Sequence, residues 1–281
     1  MNMHDALSFR TRVTIAPGVD MPRLGFGTYK SAEGPEVEHA VAEALRLGYR
    51  GVDTASIYGN EAGVGRAIRA SGVARKGIFV TTKVWNSDQG YARTLEALER
   101  SLERLGFEYV DLYLVHWYVP GMLRGTWRAM EEALAVGKAR AIGVCNFLPH
   151  HLDELLSMTE VPPAVDQVEF HPRLQQPGLQ RYLAEHDITL QAWAPLMRGR
   201  AGEVPELAEI ASRHGVSASQ VCVRWILQLG HTTIPKSTHD ERIAQNADVF
   251  GFELTAEEMA TIATLDTGMR LGPDPNTGPS A

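Results

Sequence analysis

Four side chains able to manage a proton at a carbonyl oxygen stand at or just beyond the ends of three consecutive strand-like runs: Asp53 and Tyr58 in VDTASIYGN, Lys83 in IFVTTKVW and His116 in VDLYLVHW. A phenol titrates near pH ~10 and is a poor donor at neutral pH without help. A neighbouring ammonium gives that help, and a lysine set in an apolar strand calls for a carboxylate partner. Asp53 is available for that role. The expectation is a phenol pulled down by Lys83, since each unit of lowering is worth about 1.4 kcal/mol between protonation states. A neutral His116 would offer a second donor to the same oxygen. Taken singly, Asp53 also suits a helix cap or turn, Lys83 a surface lysine with a buried stem, and His116 a hydrogen-bonded structural position.

These residues must be carried by a repeating scaffold. The strand-like runs are RLGFGT, GVDT, IFVTTKV, VDLYLVH, ARAIGVCN, AVDQVEF, ITLQAW and HTTIP, rich in β-branched and aromatic residues and bounded by Gly, Pro or polar clusters. Between them lie helical patterns. In GPEVEHAVAEALRLG, Val37, Ala40, Val41, Ala44, Leu45 and Leu47 make an apolar stripe that Gly48 stops. In TLEALERSLERLG, Leu95, Leu98, Leu102 and Leu105 share one face. Eight strands each followed by a helix predict a closed (β/α)8 barrel, with an open doubly wound sheet as the alternative. The barrel is favoured because Asp53, Lys83, His116, Asn146, Trp193 and Lys236 all fall at or beyond strand carboxyl ends, with Gln167 inside its run; a barrel gathers those ends at one mouth. TRVTIAPGVDMPRLG reads as a hairpin that would plug the barrel bottom, and RLGPDPNTGPSA as a loop or frayed tail. GFGTYK has Lys30 where a dinucleotide fingerprint needs its third Gly, so Gly25 and Gly27 read as points of close packing.

Composition narrows the class. The 281 residues carry a net charge of -7, which disfavours a sequence-independent grip on nucleic acid. Any phosphate is held locally, and TTIPKSTHDERIAQN fits that: Lys236, Ser237 and Arg242 follow a strand and open a helix. An ordinary solvated basic turn is the competing reading. Cys145 and Cys222 form no Cys-x-x-Cys pair, and no histidine pairs at metal-ligand spacing, so no metal is expected. MNMHDALSFRTRV has no signal-peptide stretch and no run is long enough to span a bilayer; the expected location is the cytoplasm, with no membrane partner.

From about Arg12 to the tail, the ordered motifs MPRLGFGTYK, GYRGVDTASIYGNEAGVGRAI, VTTKVWNSDQG, SLERLGFEYVDLYLVHW, GVCNF, DQVEFHP, QAWAPL and IPKSTHDER resemble the aldo-keto reductases. The likeness is greatest to bacterial members that reduce small dicarbonyls and keto-sugars, such as glyoxal and 2,5-diketo-D-gluconate reductases. The resemblance implies one α/β domain over 1–281, a (β/α)8 TIM barrel with an N-terminal β-hairpin and a short C-terminal loop. It implies NADPH/NADP+ bound without a Rossmann motif, and a tetrad of Asp53, Tyr58, Lys83 and His116 with Tyr58 as general acid. By the same match, Asn146 and Gln167 would hold the nicotinamide carboxamide and Trp193 would stack on the ring. Lys236, Ser237 and Arg242 would hold the 2′-phosphate, Asn246 would reach the adenine, and Thr28 would touch the cofactor. Tyr29, Ile57, Trp85 and Trp117 would wall a small carbonyl substrate. A monomer is expected.

The chain departs from the family pattern at several places. Cys145 stands where Ser is usual, Ala194 and Met197 where Ser and Gly are common, Tyr118 where Pro follows HW, and Gly51 where His is common. Tyr118 is expected to reshape the pocket and Gly51 to stay clear of it. Two rival functions are a cofactor-binding barrel without turnover, which has no need of a tuned phenol, and an unrelated barrel lyase or isomerase with a phosphate site near the last strand.

Overall fold

The computed structural model describes residues 7–279. The start of the segment read for a leader, residues 1–6, and the last two residues of the tail, Ser280 and Ala281, lie outside the described residues. An antiparallel hairpin comes first, β1 (Arg12–Ala16) and β2 (Val19–Pro22), turning through Pro17 and Gly18 with a register shift between Thr14 and Ala16. Its inward residues Val19 and Met21 pack with Phe79, Leu112, Leu114, Ala141 and Val165 in an apolar cluster that seals the lower end of the barrel, as the hairpin reading requires.

Above the hairpin, eight strands follow in sequence order. They are β3 (Phe26–Gly27), β4 (Gly51–Asp53), β5 (Phe79–Val84), β6 (Val110–Val115), β7 (Ala139–Cys145), β8 (Val165–Glu169), β9 (Thr189–Trp193) and β10 (Thr232–Thr233), each parallel to the next. The sheet closes on itself. Leu24 bridges Thr233 in parallel register, Thr233 N donates to Arg23 O at 2.8 Å, and Gly27 N donates to Pro235 O at 3.1 Å. Gly27 permits this seam, because a Cβ there would lie 2.8 Å from the Ile234 carbonyl oxygen. An open doubly wound sheet is thereby excluded.

Helices α1 (Pro35–Leu47), α2 (Glu61–Ala70), α3 (Tyr91–Leu105), α4 (Leu123–Ala135), α5 (Pro149–Leu156) and α6 (Pro177–Glu185) connect successive strands. Two more, α7 (Pro205–His214) and α8 (Ala218–Gln228), lie between β9 and β10, and α9 (Asp240–Ala247) and α10 (Ala256–Ala263) follow the ring. The predicted stripes face the strands: Val37, Ala40, Val41, Ala44 and Leu45 of α1 are buried, as are Leu98, Leu102 and Leu105 of α3. Leu47 and Leu95 are half-buried at the margins. Each buried Val or Leu contributes about 1.5–3 kcal/mol relative to exposure. Every residue of β5 and β6 is buried, because helices cover the outer face while the lumen fills the inner one. No helix among the described residues is long and apolar enough to cross a membrane.

Candidate active site

The barrel brings the four proton-handling residues to one mouth. Asp53 ends β4, Lys83 is the penultimate residue of β5, and His116 follows β6 with its N–H on Val84 O at 3.2 Å. Tyr58 ends a short 3-10 turn, Ser56–Tyr58, whose Ser56 hydroxyl donates to Lys83 O at 3.0 Å. Asn60 fixes this turn to the loop after β3: its Nδ2 donates to Thr28 O (2.9 Å) and Ser31 O (3.0 Å), and its Oδ1 accepts from Thr54 Oγ1 (2.7 Å). The Lys83 side chain is wholly buried. Its ammonium donates to Asp53 Oδ1 at 2.6 Å, to Thr54 O at 2.9 Å and to the Tyr58 hydroxyl at 3.4 Å, which uses all three of its protons. The His116 ring lies edge-on to Tyr58, centroids 5.7 Å apart, and edge-on to Trp85 at 5.1 Å.

The phenol corrects one expectation. Burial and the Asp53 carboxylate push the Tyr58 hydroxyl well above its ordinary value, rather than letting Lys83 pull it down. The reason is pairing: the Lys83 charge is already matched by Asp53 at 2.6 Å, so desolvation dominates. Tyr58 is therefore a neutral donor across the whole neutral range. His116 agrees with its reading, since burial and then Lys83 hold the imidazole well below its usual range and hence neutral. Its buried Nδ1 has no partner among the described residues.

Beneath the quartet runs a polar network across the lumen. Gln167 Nε2 donates to Asp53 Oδ2 at 2.7 Å and to Gln191 Oε1 at 2.8 Å, linking β8 to β4 on the far side of the ring. Asn146, at φ 61°, donates from Nδ2 to His116 O at 3.1 Å and accepts Trp193 Nε1–H on Oδ1 at 2.9 Å. It does not cap the helix that follows. Cys145 is buried between these two amides, 3.1 Å from Asn146 Nδ2 and 3.7 Å from Gln167 Oε1, and burial raises its thiol well above the ordinary value. Thr28 is buried, with both its N–H and its hydroxyl on Asp53 O.

The basic segment lies beside this mouth. Lys236 reaches Lys30 O at 3.3 Å, and Ser237 Oγ accepts from His239 N at 3.1 Å in the turn entering α9. Among the described residues, neither Lys236 nor Arg242 has a carboxylate within ion-pair distance, and the buried Asn246 has no protein partner for its amide. Burial lowers Lys236 somewhat. Two unmatched cations at the entry to α9, with a free amide in the last turn of the same helix, suit a phosphorylated ligand. Among the described residues, no group of three His, Cys, Asp or Glu side chains is placed to hold a metal ion.

Of the proposed wall, Tyr29 and Ile57 are about half exposed and Tyr29 lies 5.0 Å from Tyr58 between ring centroids; Trp85 is half-buried against His116 and Trp117 is buried. Tyr118 turns toward α5. Its ring stacks on His151 at 4.2 Å and its hydroxyl donates to Glu154 at 2.7 Å, both on α5. Gly51 lines, with Met21, Pro22, Phe79, Thr81 and Gln191, a space of about 10 Å³ inside the lumen, close to the size of one water. Ala194 and Met197 both adopt φ 52°, a left-handed geometry costing L-residues roughly 1–2 kcal/mol each; at 197 this is where the family commonly supplies Gly, and at 194 where it commonly supplies Ser. Sequence reading missed Asn60, Gln191 and Glu169. The last two were marked by alternation, because Gln167 and Glu169, like Gln191 and Trp193, are two apart on a strand and share its inner face.

The profile described as "Aldo/keto reductase family" matches residues 23–267. Over 269 residues the chain is 50% identical to the glyoxal reductase of Bacillus subtilis (strain 168), covering 96% of this chain and 98% of that protein. It is 49% identical to the 9,11-endoperoxide prostaglandin H2 reductase of Trypanosoma cruzi (strain CL Brener) over 267 residues, 94% of each. The crystal structure of a Gox0644 mutant in complex with NADPH superposes with a TM-score of 0.90 at 41% identity, covering 96% of this chain and 99% of that one. With fold, profile and nearly full-length likeness in agreement, the chain belongs to the aldo/keto reductase family.

Proposed function

We propose that the protein reduces small activated carbonyl compounds to alcohols with NADPH, Tyr58 acting as the general acid. The observation that carries this reading is the buried Lys83 ammonium, 2.6 Å from Asp53 and 3.4 Å from the Tyr58 hydroxyl. NADPH, when bound, supplies the hydride to the carbonyl carbon. The protein's own part is positional and acidic. His116, neutral, orients the carbonyl oxygen, and Tyr58 gives that oxygen its proton as negative charge develops there. A phenol raised by burial is adequate for this, because a nascent alkoxide is a stronger base than any phenolate. The phenolate left behind is held by Lys83, whose charge Asp53 keeps in place.

Lys236, Ser237 and Arg242 would hold the 2′-phosphate, Asn246 the adenine, Asn146 and Gln167 the carboxamide, and Trp193 the face of the ring. Thr28, whose hydroxyl and N–H both donate to the backbone carbonyl of Asp53, would touch the cofactor from the loop after β3. Tyr29, Ile57, Trp85 and Trp117 form the substrate wall. The rim is short, with only residues 116–122 between β6 and α4. A shallow pocket gives bulky ligands little burial energy, whereas activated carbonyls need less binding energy to react. The 50% identity to a glyoxal reductase supports the same class. The test is a panel of methylglyoxal, small aromatic aldehydes, 2,5-diketogluconate and a steroid ketone, followed by loss of NADPH absorbance. The small activated carbonyls should lead in kcat/KM. A steroid ketone clearly ahead of methylglyoxal and 2,5-diketogluconate would overturn the substrate class, and binding of NADPH without oxidation by any of them would overturn the reductase reading.

A further inference from the structure

Glu169 closes β8 and is buried, yet its carboxylate faces no lysine or arginine among the described residues. Instead it is spent on the C-terminal segment. Oε1 accepts from Leu271 N at 2.6 Å and from His171 Nε2 at 3.0 Å, and Oε2 accepts from Gly272 N at 2.9 Å. Burial alone would raise this carboxyl, but the hydrogen bonds from His171, Leu271 and Gly272 outweigh it and hold the group below its usual range. The same segment is tied on either side: Met269 N donates to Arg173 O at 3.0 Å, and Arg270 donates to Gln176 Oε1 at 3.1 Å.

What the clamp presses on is Trp193. Glu169 and Trp193 are register partners across β8 and β9. A Cβ on Gly272 would stand 2.4 Å from Trp193 Cη2, so the tail backbone lies directly against the edge of the indole, with no room for a side chain. The other end of the indole donates to Asn146, which in turn donates to the backbone carbonyl of His116. One contiguous set of contacts thus leads from the tail to the proton-handling quartet.

We infer that Glu169 is a positioning residue: by holding Leu271 and Gly272 it fixes the C-terminal segment against Trp193 and so sets the plane on which the nicotinamide lies. This rests on the reading of Trp193 given above. A small displacement of a reacting ring is costly to rate, of the order of tenfold for a fraction of an ångström, whereas the phosphate contacts that carry cofactor affinity lie elsewhere.

The experiment compares the full-length protein with Glu169→Gln and Gly272→Ala. Glu169→Gln keeps the shape but presents an amide N–H to one of two backbone donors; Gly272→Ala leaves the carboxylate intact and pushes the tail off the indole. Both should lower kcat roughly tenfold, change the NADPH Kd read by tryptophan fluorescence less than threefold, and speed hydrogen exchange at the Leu271 and Gly272 amides in the cofactor-free protein. Unchanged exchange in Glu169→Gln would overturn the clamp. Faster exchange with kcat unchanged in both variants would reduce Glu169 to a structural tie and overturn its positioning role. A failure of the underlying reading shows separately, as a kcat and an NADPH Kd indifferent to Trp193→Ala.

Discussion

Two buried carboxylates at opposite ends of the barrel show what distinguishes a working site from a structural tie. Asp111, near the start of β6 at the lower end, is saturated: Val80 N donates to it at 2.9 Å, Arg75 pairs with it at 2.8 Å and Arg140 at 2.8 Å. Arg140 also donates to Gly18 O, so the cluster staples the hairpin turn to the barrel. Asp53, at the end of β4 in the mouth, is matched by a single cation and one amide. Around it stand a phenol that, among the described residues, has no carboxylate or backbone acceptor, and an imidazole whose buried Nδ1 is likewise without a partner. Both sites bury charge at a cost repaid by close pairing. Of these two sites, the mouth keeps neutral donors without acceptors among the described residues.

The largest expected effect lies in the mouth. Tyr58→Phe removes one oxygen and little packing, so turnover should fall by about 10²–10⁴-fold with NADPH affinity retained. A rate near the parent value would strip Tyr58 of its role. At the other end, Asp111→Ala leaves two arginines and a backbone N–H unmatched and should cost roughly 3–5 kcal/mol of stability in denaturant titration. Turnover per folded molecule should stay unchanged, and a specific loss of kcat would erase the contrast between the two ends.

Smaller effects refine the comparison. Arg242→Ala should weaken NADPH binding by about 1.5–3 kcal/mol and leave NADH binding nearly unaltered; equal losses would remove the phosphate assignment. Acid should act on stability before it acts on the quartet. Burial holds His231 and His151 down at about 4 each, against 6.5 when unfolded. Between those values the unfolded chain takes up protons that the folded one refuses, so stability falls as pH drops from about 6.5 toward 4. His231→Gln and His151→Gln should each flatten that decline in the melting temperature. A decline of the same slope in both variants would place the acid sensitivity elsewhere.

Much of the scaffold was legible because its signals are local. Each of the eight runs alternates or clusters β-branched residues between breakers, and the stripe of α1 ends at Gly48 as its spacing predicts. The pairing of Lys83 with Asp53 was legible too, since an apolar strand cannot hold an ammonium alone. The phenol's direction was not, because it depends on how deep the hydroxyl lies and on how fully the neighbouring charge is already matched. Nor was the reach of Gln167 across the lumen to Asp53, or the grip of Glu169 on Leu271, as both join segments far apart in the chain. The same holds for Tyr118, whose direction is set by His151 and Glu154 on α5 rather than by its neighbours in sequence.

The seam between Arg23–Gly27 and Thr233–Pro235 also dictates an order of events during synthesis. The strands bearing Asp53, Lys83 and His116 are made in the first half of the chain and can pair with their immediate neighbours early. The seam joins β3, the first strand of the ring, to β10, the last, so its loop-closure entropy is met late. Lys236 reaches the Lys30 carbonyl only across that closed seam. A nascent chain halted before Thr232 would carry every proton-handling residue and no phosphate grip. A phosphorylated dinucleotide held there would select the finished ring by mass action, adding about 2.7 kcal/mol at a hundredfold excess over its Kd.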